Sequence, residues 1–479
     1  MKRNRQAGVL LHPTSLPNSD KRPGQLNDQA WRFLEWMQQA GLSIWQMLPL
    51  TEPHEDRSPY QAVSAFALNP ALLPEGWQQM VDEGAFERYV QHPPHWLEDY
   101  ALFMAIRHQQ NSASWREWPH ALKKRDAEAL ETFKETHRSA ITQLKRQQFA
   151  LHTLWQRFKA DANAKGIELF GDMPIFVAFD SADVWANPDQ FKLDDQLNPT
   201  VVTGVPPDYF SETGQRWGNP HYDWERMQET GFDWWVKRVE SALAQFDLLR
   251  IDHFRGLEAC WEIDAAEETA INGRWVKVPG EALLAKLQQE FPDLPLVAED
   301  LGIITPEVVA LKERFDLPGM SVLQFGFNGL PDNPHSLAEQ VEHSITYTGT
   351  HDNDTTLGWF NSLDQGAQAW VWEQLFETAK NDLEQAGLPL KMPWPLISAA
   401  LDSVAETVIV PMQDWLMLDG EHRMNIPGTT EGNWCWQFEW QALPDELAGR
   451  IHRLLEQTRR LKSSEPGQHA NHEQTIELD

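Results

Sequence analysis

Residues 246–256, FDLLRIDHFRG, decide the fold, because a short apolar run here carries Arg250 and Asp252 onto one face. Side chains two apart on a strand point the same way. The loop-like HFRG after it ends the strand, so a carboxylate stands at its exit with a guanidinium beside it. That neighbour favours the ionised carboxylate at neutral pH, the state a nucleophile needs. The same two residues also fit a buried ion pair with a purely structural role, and the rest of the chain has to choose between the readings.

Working outward, eight such short apolar, often β-branched runs can be marked. They are Gly8 to Leu11, Ile44 to Leu48, Ile167 to Val177, Phe246 to Asp252, Leu294 to Asp300, Met320 to Phe327, Ile345 to Thr350 and Thr407 to Met412. Turn residues bound each run, and helix-period stretches come after most of them. The helices EALLAKLQQEF, TPEVVALKERF and DELAGRIHRLLEQTRRLK stand out, the second with Thr305 as N-cap and Pro306 at its first position. Alternating strands and helices predict a parallel sheet, and eight strands are what a closed barrel requires. The expected fold is α/β, a (β/α)8 barrel in one catalytic domain over residues 1–479. Three connections exceed a simple βα unit: a helical insertion at 61–165, a loop-rich one at 179–245 that forms part of a cleft, and a helical one at 358–405.

Composition narrows the function. Lys and Arg number 40 against 71 Asp and Glu, a net charge of −31. That field repels phosphate backbones and anionic membrane surfaces, so neither nucleic acid nor membrane is an expected partner. Two cysteines, Cys260 and Cys435, are too few for a disulfide framework, and the apolar start stops at His12 and Pro13, short of a signal-peptide core. No apolar run approaches the roughly 20 residues of a membrane span. The chain reads as cytoplasmic. Trp supplies 23 residues against 6 Tyr; most fill a core of this size, and those in loops beside charged motifs are candidates for stacking on sugar rings.

Three acids end three of the runs: Asp252 in RIDHFRG, Glu299 in LPLVAEDLG and Asp352 in TYTGTHDND. All strand C-termini of a barrel open on one face, so these carboxylates converge. Crowded like charges raise at least one pKa, which separates a protonated general acid from a charged nucleophile. Asp252 beside Arg250 suits the nucleophile of a retaining glycosidase, Glu299 beside Val297 and Ala298 the acid, and Asp352 with His351 a clamp on sugar hydroxyls. The same acids could ligate Mg²⁺ or Ca²⁺. A phosphotransferase or metal-dependent hydrolase would then be the reading, but no phosphate loop, HExxH or EF-hand loop accompanies the acids, so it stands as the runner-up.

The motifs GVLLHPTSLP, WQMLPL, SPYQAVSAFALNP, GDMPIFVAFDSADVW, GVPPDYFSETGQRWGNP, RIDHFRG, VAEDLG, TGTHDN and MNIPGTTEGNWCWQF span nearly the whole chain. In them it resembles the amylomaltases, the 4-α-glucanotransferases of glycoside hydrolase family 77. The resemblance implies an α-amylase-type barrel that transfers α-1,4-glucan segments between malto-oligosaccharides without metal or organic cofactor. It carries the nucleophile to Asp252, the acid/base to Glu299 and the third carboxylate to Asp352. It assigns Arg250, His351 and Asp172 to the sugar at the cleavage point, and Tyr60 to an aromatic platform under the donor. His253, Asp208, Phe210, Gln215 and Trp217 fall on the acceptor side, and Asn425 and Pro427 in the donor groove. One departure is visible: the family's WR dipeptide is Trp436-Gln437 here, which puts a local ion pair in question. Some relatives carry a long extra N-terminal region; with a first strand expected at Gly8, this chain reads as the compact form.

Transfer and hydrolysis share one glycosyl-enzyme and differ in whether a sugar hydroxyl or water attacks it. The strand order does not separate them; the resemblance points to transfer, with an α-glucan hydrolase as the alternative. A glucan-binding protein that has lost turnover is a third reading. Oligomeric state is not legible.

Overall fold

The computed structural model describes residues 5–19, 22–208 and 211–462. Its strands are β1 (Gln6–Leu10), β2 (Ile44–Gln46), β3 (Glu168–Pro174), β4 (Val201–Val205), β5 (Gln215–Pro220), β6 (Leu248–Asp252), β7 (Ala259–Asp264), β8 (Gly273–Lys277), β9 (Leu296–Ala298), β10 (Gly319–Val322), β11 (Ser344–Tyr347) and β12 (Thr407–Pro411). Eight of them form a parallel sheet in the order β10-β11-β12-β1-β2-β3-β6-β9. The Ala298 N–H donates to the Pro318 carbonyl at 2.9 Å, which bridges the remaining seam between β9 and β10. The barrel expected from the eight apolar runs is thus the fold observed, each run supplying one strand.

Strand alternation sorts the core. Leu249 and Ile251 face outward into the layer shared with the helices, while Leu248 joins Phe170, Val297, Ile345, Tyr347 and Ile409 inside the barrel. Burying each such side chain contributes about 1.5–3 kcal/mol. Arg250 and Asp252 share the inward parity of Leu248, so the apolar interior gives way to charge at the mouth. Parallel register sets Asp172 on β3 beside Arg250 on β6, and Pro174 beside Asp252.

Residues 61–165 hold helices at Glu83–Gln91, Leu97–Gln109, Ala127–Thr136 and Arg138–Ala164. The last, of 27 residues, leads directly into β3. Residues 358–405 contribute the helices Gln365–Ala386 and Trp394–Asp402. Between 179 and 277 the chain builds a second, antiparallel sheet in the order β5-β4-β7-β8, which has no counterpart in the strand pattern read from the sequence. Its strand β7 comes after β6 by way of one 3-10 turn, Phe254–Leu257, so the small sheet is anchored at the mouth of the barrel. Among the described residues, no helix is long and apolar enough to cross a membrane.

Candidate active site

Arg250 is the hub. Its side chain is 6% exposed; it donates from Nη1 to Asp172 Oδ2 at 2.6 Å, and its Nη2 forms an ion pair with Asp252 Oδ1 at 2.9 Å. Asp172 Oδ2 also accepts from the Tyr60 hydroxyl at 2.6 Å. Tyr60 oxygen lies 2.9 Å from His351 Nε2, and the two rings stack with centroids 5.3 Å apart. His351 Nε2 in turn stands 3.4 Å from Asp352 Oδ2. Asp352 Oδ1 accepts from the Asn425 amide at 2.6 Å. One polar chain therefore links the ends of β3, β6 and β11 across the barrel mouth.

Glu299 joins from β9. Its Oε2 accepts from the backbone N–H of His253 at 2.7 Å, and its Oε1 from that of Leu301 at 3.1 Å. His253 has a φ of 54°, a left-handed conformation costly for a side chain with Cβ. It is the residue directly after Asp252, so the strand end that presents Asp252 also grips Glu299.

Burial pushes the Asp252 carboxyl up to about 8; Arg250 pulls it down, and the charges of Asp172, Glu299 and Asp352 push it up again. The expectation that Arg250 would keep Asp252 ionised is therefore corrected for the free site. The guanidinium is shared with Asp172, and desolvation outweighs what remains. Burial raises Glu299 too, against Arg250 and the N–H groups of His253 and Leu301. Burial also lowers His351, leaving a neutral ring.

The flanking residues divide into two sides. Toward the small sheet, His253 meets Trp217 edge to face at 4.8 Å, and Trp217 Nε1 donates to Gln215 Oε1 at 3.1 Å. Asp208 Oδ1 accepts from the Ser211 N–H at 2.8 Å and shapes the loop before β5. Phe210 lies outside the described residues. On the opposite side Asn425 is buried against Asp352, while Pro427 is exposed on the next turn. Two residues not singled out from the sequence also belong here. Trp434 tilts against both Tyr60 and His351 at 5.9 Å, and Arg423 donates to the Asp352 carbonyl at 3.0 Å. The aromatic residue in the glycine- and asparagine-rich GNWCW was the available signal for Trp434. At the WR departure, the Gln437 amide lies within hydrogen-bond reach of the carbonyls of Thr14, Leu16 and Arg22 at 3.1, 3.2 and 2.7 Å, so neutral contacts tie this segment to the N-terminal loop.

This arrangement can protonate a leaving oxygen, stabilise positive charge at an anomeric carbon and hold sugar hydroxyls. A family model described as 4-alpha-glucanotransferase matches residues 11–76 and 75–442. The chain is 42% identical to the 4-alpha-glucanotransferase of Thermus thermophilus, over 95% of this chain and 99% of that one. It is 40% identical to the enzyme of the same name from Synechocystis, over 94% and 97%. Among solved structures, an amylomaltase from Streptococcus agalactiae in complex with acarbose superposes with a TM-score of 0.88 at 32% identity, covering 96% of this chain and all of that one. An eight-stranded barrel with acids at its mouth and this likeness along its length lead to one assignment: the chain belongs to the 4-α-glucanotransferase family, enzymes that transfer glycosyl groups.

Proposed function

We propose that this 4-α-glucanotransferase moves α-1,4-glucan segments between malto-oligosaccharides by a retaining double displacement, with Asp252 as nucleophile and Glu299 as acid and base. The observation that carries the reading is the His253 N–H donated to Glu299 at 2.7 Å, which ties the acid to the residue after the nucleophile. Retention needs the two carboxyl groups about 5 Å apart. In the first half-reaction Asp252 attacks the anomeric carbon, the glycosidic C–O bond breaks, and the departing 4-oxygen takes the proton of Glu299. In the second, an acceptor 4-hydroxyl attacks the same carbon, gives its proton to Glu299 and releases Asp252.

Burial raises both carboxyls beside one guanidinium, so their protonation is linked and is written for the pair. Arg250 touches Asp252 and so favours charge there, and a proton on Glu299 Oε1 leaves the shorter contact at Oε2 intact. Asp352, with His351 and Asn425, holds hydroxyls of the reacting sugar. Trp217, His253 and the loop carrying Asp208 line the acceptor side and exclude water. The acarbose bound to the relative from Streptococcus agalactiae supports an α-glucan substrate. Two unpaired cysteines support a cytoplasmic setting.

Incubation with maltotriose, analysed by chromatography, tests the reaction. Glucose plus a ladder of longer chains with nearly constant reducing ends is expected, and a steady rise in reducing ends would identify a hydrolase. For the roles, Asp252→Ala abolishes transfer and labelling by a fluorinated glycosyl fluoride. Glu299→Gln slows both half-reactions by about 10²–10⁴-fold. A label on any other carboxylate overturns the assignment.

A further inference from the structure

Beside His351 lies a small pocket that the mechanism leaves unused. A cavity of about 30 Å³ is lined by His12, Thr350, His351, Asp354, Arg423 and Trp436 among others. It opens between the ends of β1, β11 and β12. Three of its polar atoms are buried without a partner: the acceptor Asp354 Oδ1, the donor Trp436 Nε1, and His12 Nδ1. His12 itself is only 8% exposed. The ring is hydrogen-bonded to the Leu48 backbone, and with its proton on that side the unpartnered Nδ1 carries a lone pair. Two acceptors and one donor are an inventory that water satisfies, and the volume accommodates about one or two molecules.

The hydrogen bonds at Tyr60 fix what His351 must do. The Tyr60 hydroxyl gives its one proton to Asp172 at 2.6 Å, so its oxygen can only accept from His351 Nε2 at 2.9 Å. The same N–H points toward Asp352 Oδ2 at 3.4 Å. A neutral His351 therefore carries its proton on Nε2, and its Nδ1 is an acceptor. In the other tautomer Nε2 would present a lone pair to Asp352 and compete with Asp172 for the Tyr60 proton. Asp172 is the residue that orients Arg250, and Arg250 orients Asp252.

We propose that His12 is a positioning residue for the transfer reaction: through water held in the cavity it shares with His351, it keeps His351 in the Nε2–H tautomer that Tyr60 and Asp352 require. The effect runs from His12 through His351, Tyr60, Asp172 and Arg250 to Asp252. The consequence for catalysis rests on Asp252 acting as the nucleophile, whereas the tautomer can be observed whatever the role of Asp252.

The test compares the wild type, His12→Leu and His12→Asn, the last of which keeps a polar atom near the Nδ1 position. Ring nitrogens are ¹⁵N-labelled and His351 is assigned by its loss in His351→Gln. The wild type is expected to show His351 protonated on Nε2. In His12→Leu that signal moves toward the Nδ1–H form or a mixture, and kcat for maltotriose falls by about tenfold, the equivalent of one hydrogen bond. His12→Asn is expected to restore both readouts to within about threefold of the wild type. A wild-type His351 protonated on Nδ1 overturns the proposal, and that observation needs no variant to fold. So does a His12→Leu protein whose His351 tautomer or kcat is unchanged, and so does a His12→Asn protein no closer to the wild type than His12→Leu. If the tautomer shifts as expected while labelling falls on a carboxylate other than Asp252, the mechanistic reading fails and the tautomer control stands.

Discussion

At the scale of single residues the site is organised by a shortage of positive charge. Arg250 contacts Asp172 and Asp252, and Glu299 and Asp352 lie close enough to bear on Asp252. Keeping Asp252 buried among them has a consequence for stability as well as chemistry. Its folded pKa of about 8 lies above the ordinary 3.8, so the folded state binds the extra proton between those values. The stability it contributes is present below pH 3.8 and is lost as pH rises through 8. Asp252→Asn, which cannot ionise, is therefore expected to gain on the wild type as pH rises across this window, by on the order of 2 kcal/mol after allowing for the part of the carboxylate open to the cleft. Urea unfolding at pH 5 and at pH 9 checks this, and an equal gap at both would contradict the raised pKa. The shared face of Arg250 and Asp252 was legible in the sequence because it needs only the period of one strand. The division of Arg250 between two acids was not, since Asp172 comes from a different strand, 78 positions away.

At the scale of elements, each acid is delivered by a strand end, and its aim depends on the turn or loop directly after that strand. The 3-10 turn Phe254–Leu257 turns the chain directly after His253 and packs under the helix Gly280–Glu290. A Cβ built on Gly280 would stand 1.8 Å from the Leu257 carbonyl oxygen, and backbone cannot yield as a flexible side chain can. Gly280→Ala is expected to cost about 1–3 kcal/mol. It should also lower activity per folded molecule, because the displaced turn begins directly after His253, whose N–H holds Glu299. Gly449→Ala is the matched control: it lies within the helix Leu447–Gln457, and its Cβ would meet nothing closer than 3.8 Å. There the better helix propensity of alanine should add about 0.5–1 kcal/mol. Denaturant midpoints for the two variants should move in opposite directions. The barrel strands were legible because buried parallel strands are continuous apolar runs. The small sheet was hidden: QRWGNP in β5 has the composition of a turn, the GRWVK of β8 is largely exposed, and the pairing of β4 with β7 is long-range.

At the scale of the whole molecule, the first strand and the last helix are fastened together at the end of the barrel opposite the site. Arg460, fully buried, donates to the carbonyls of Leu401, Ser403, Gln6 and Glu406. These carbonyls end the helix Trp394–Asp402 and begin β12 and β1. Arg460→Met fills similar volume and removes four charge-assisted contacts, while Arg5 still donates to Leu401 and Ser403 and the Gln6 N–H to Glu406, so the expected loss is on the order of 1–3 kcal/mol. Because the site lies at the other end of the strands, KM and kcat of the folded variant should stay within about twofold of the wild type, about 0.4 kcal/mol. A large kinetic change at unaltered stability would disprove this separation of roles.

The chain by itself determined the alternation of apolar runs and helices, the parity that turns Arg250 and Asp252 inward, and the acids at the ends of three strands. Those properties depend on neighbours a few residues apart, and local spacing encodes them. Tertiary structure alone decided which acids share Arg250, how His253 turns its N–H onto Glu299, that Trp434 and Arg423 complete the site, and how far burial lifts the carboxyls. Each of these arises from groups brought together across the barrel mouth, where desolvation and charge depend on distances through space rather than along the sequence.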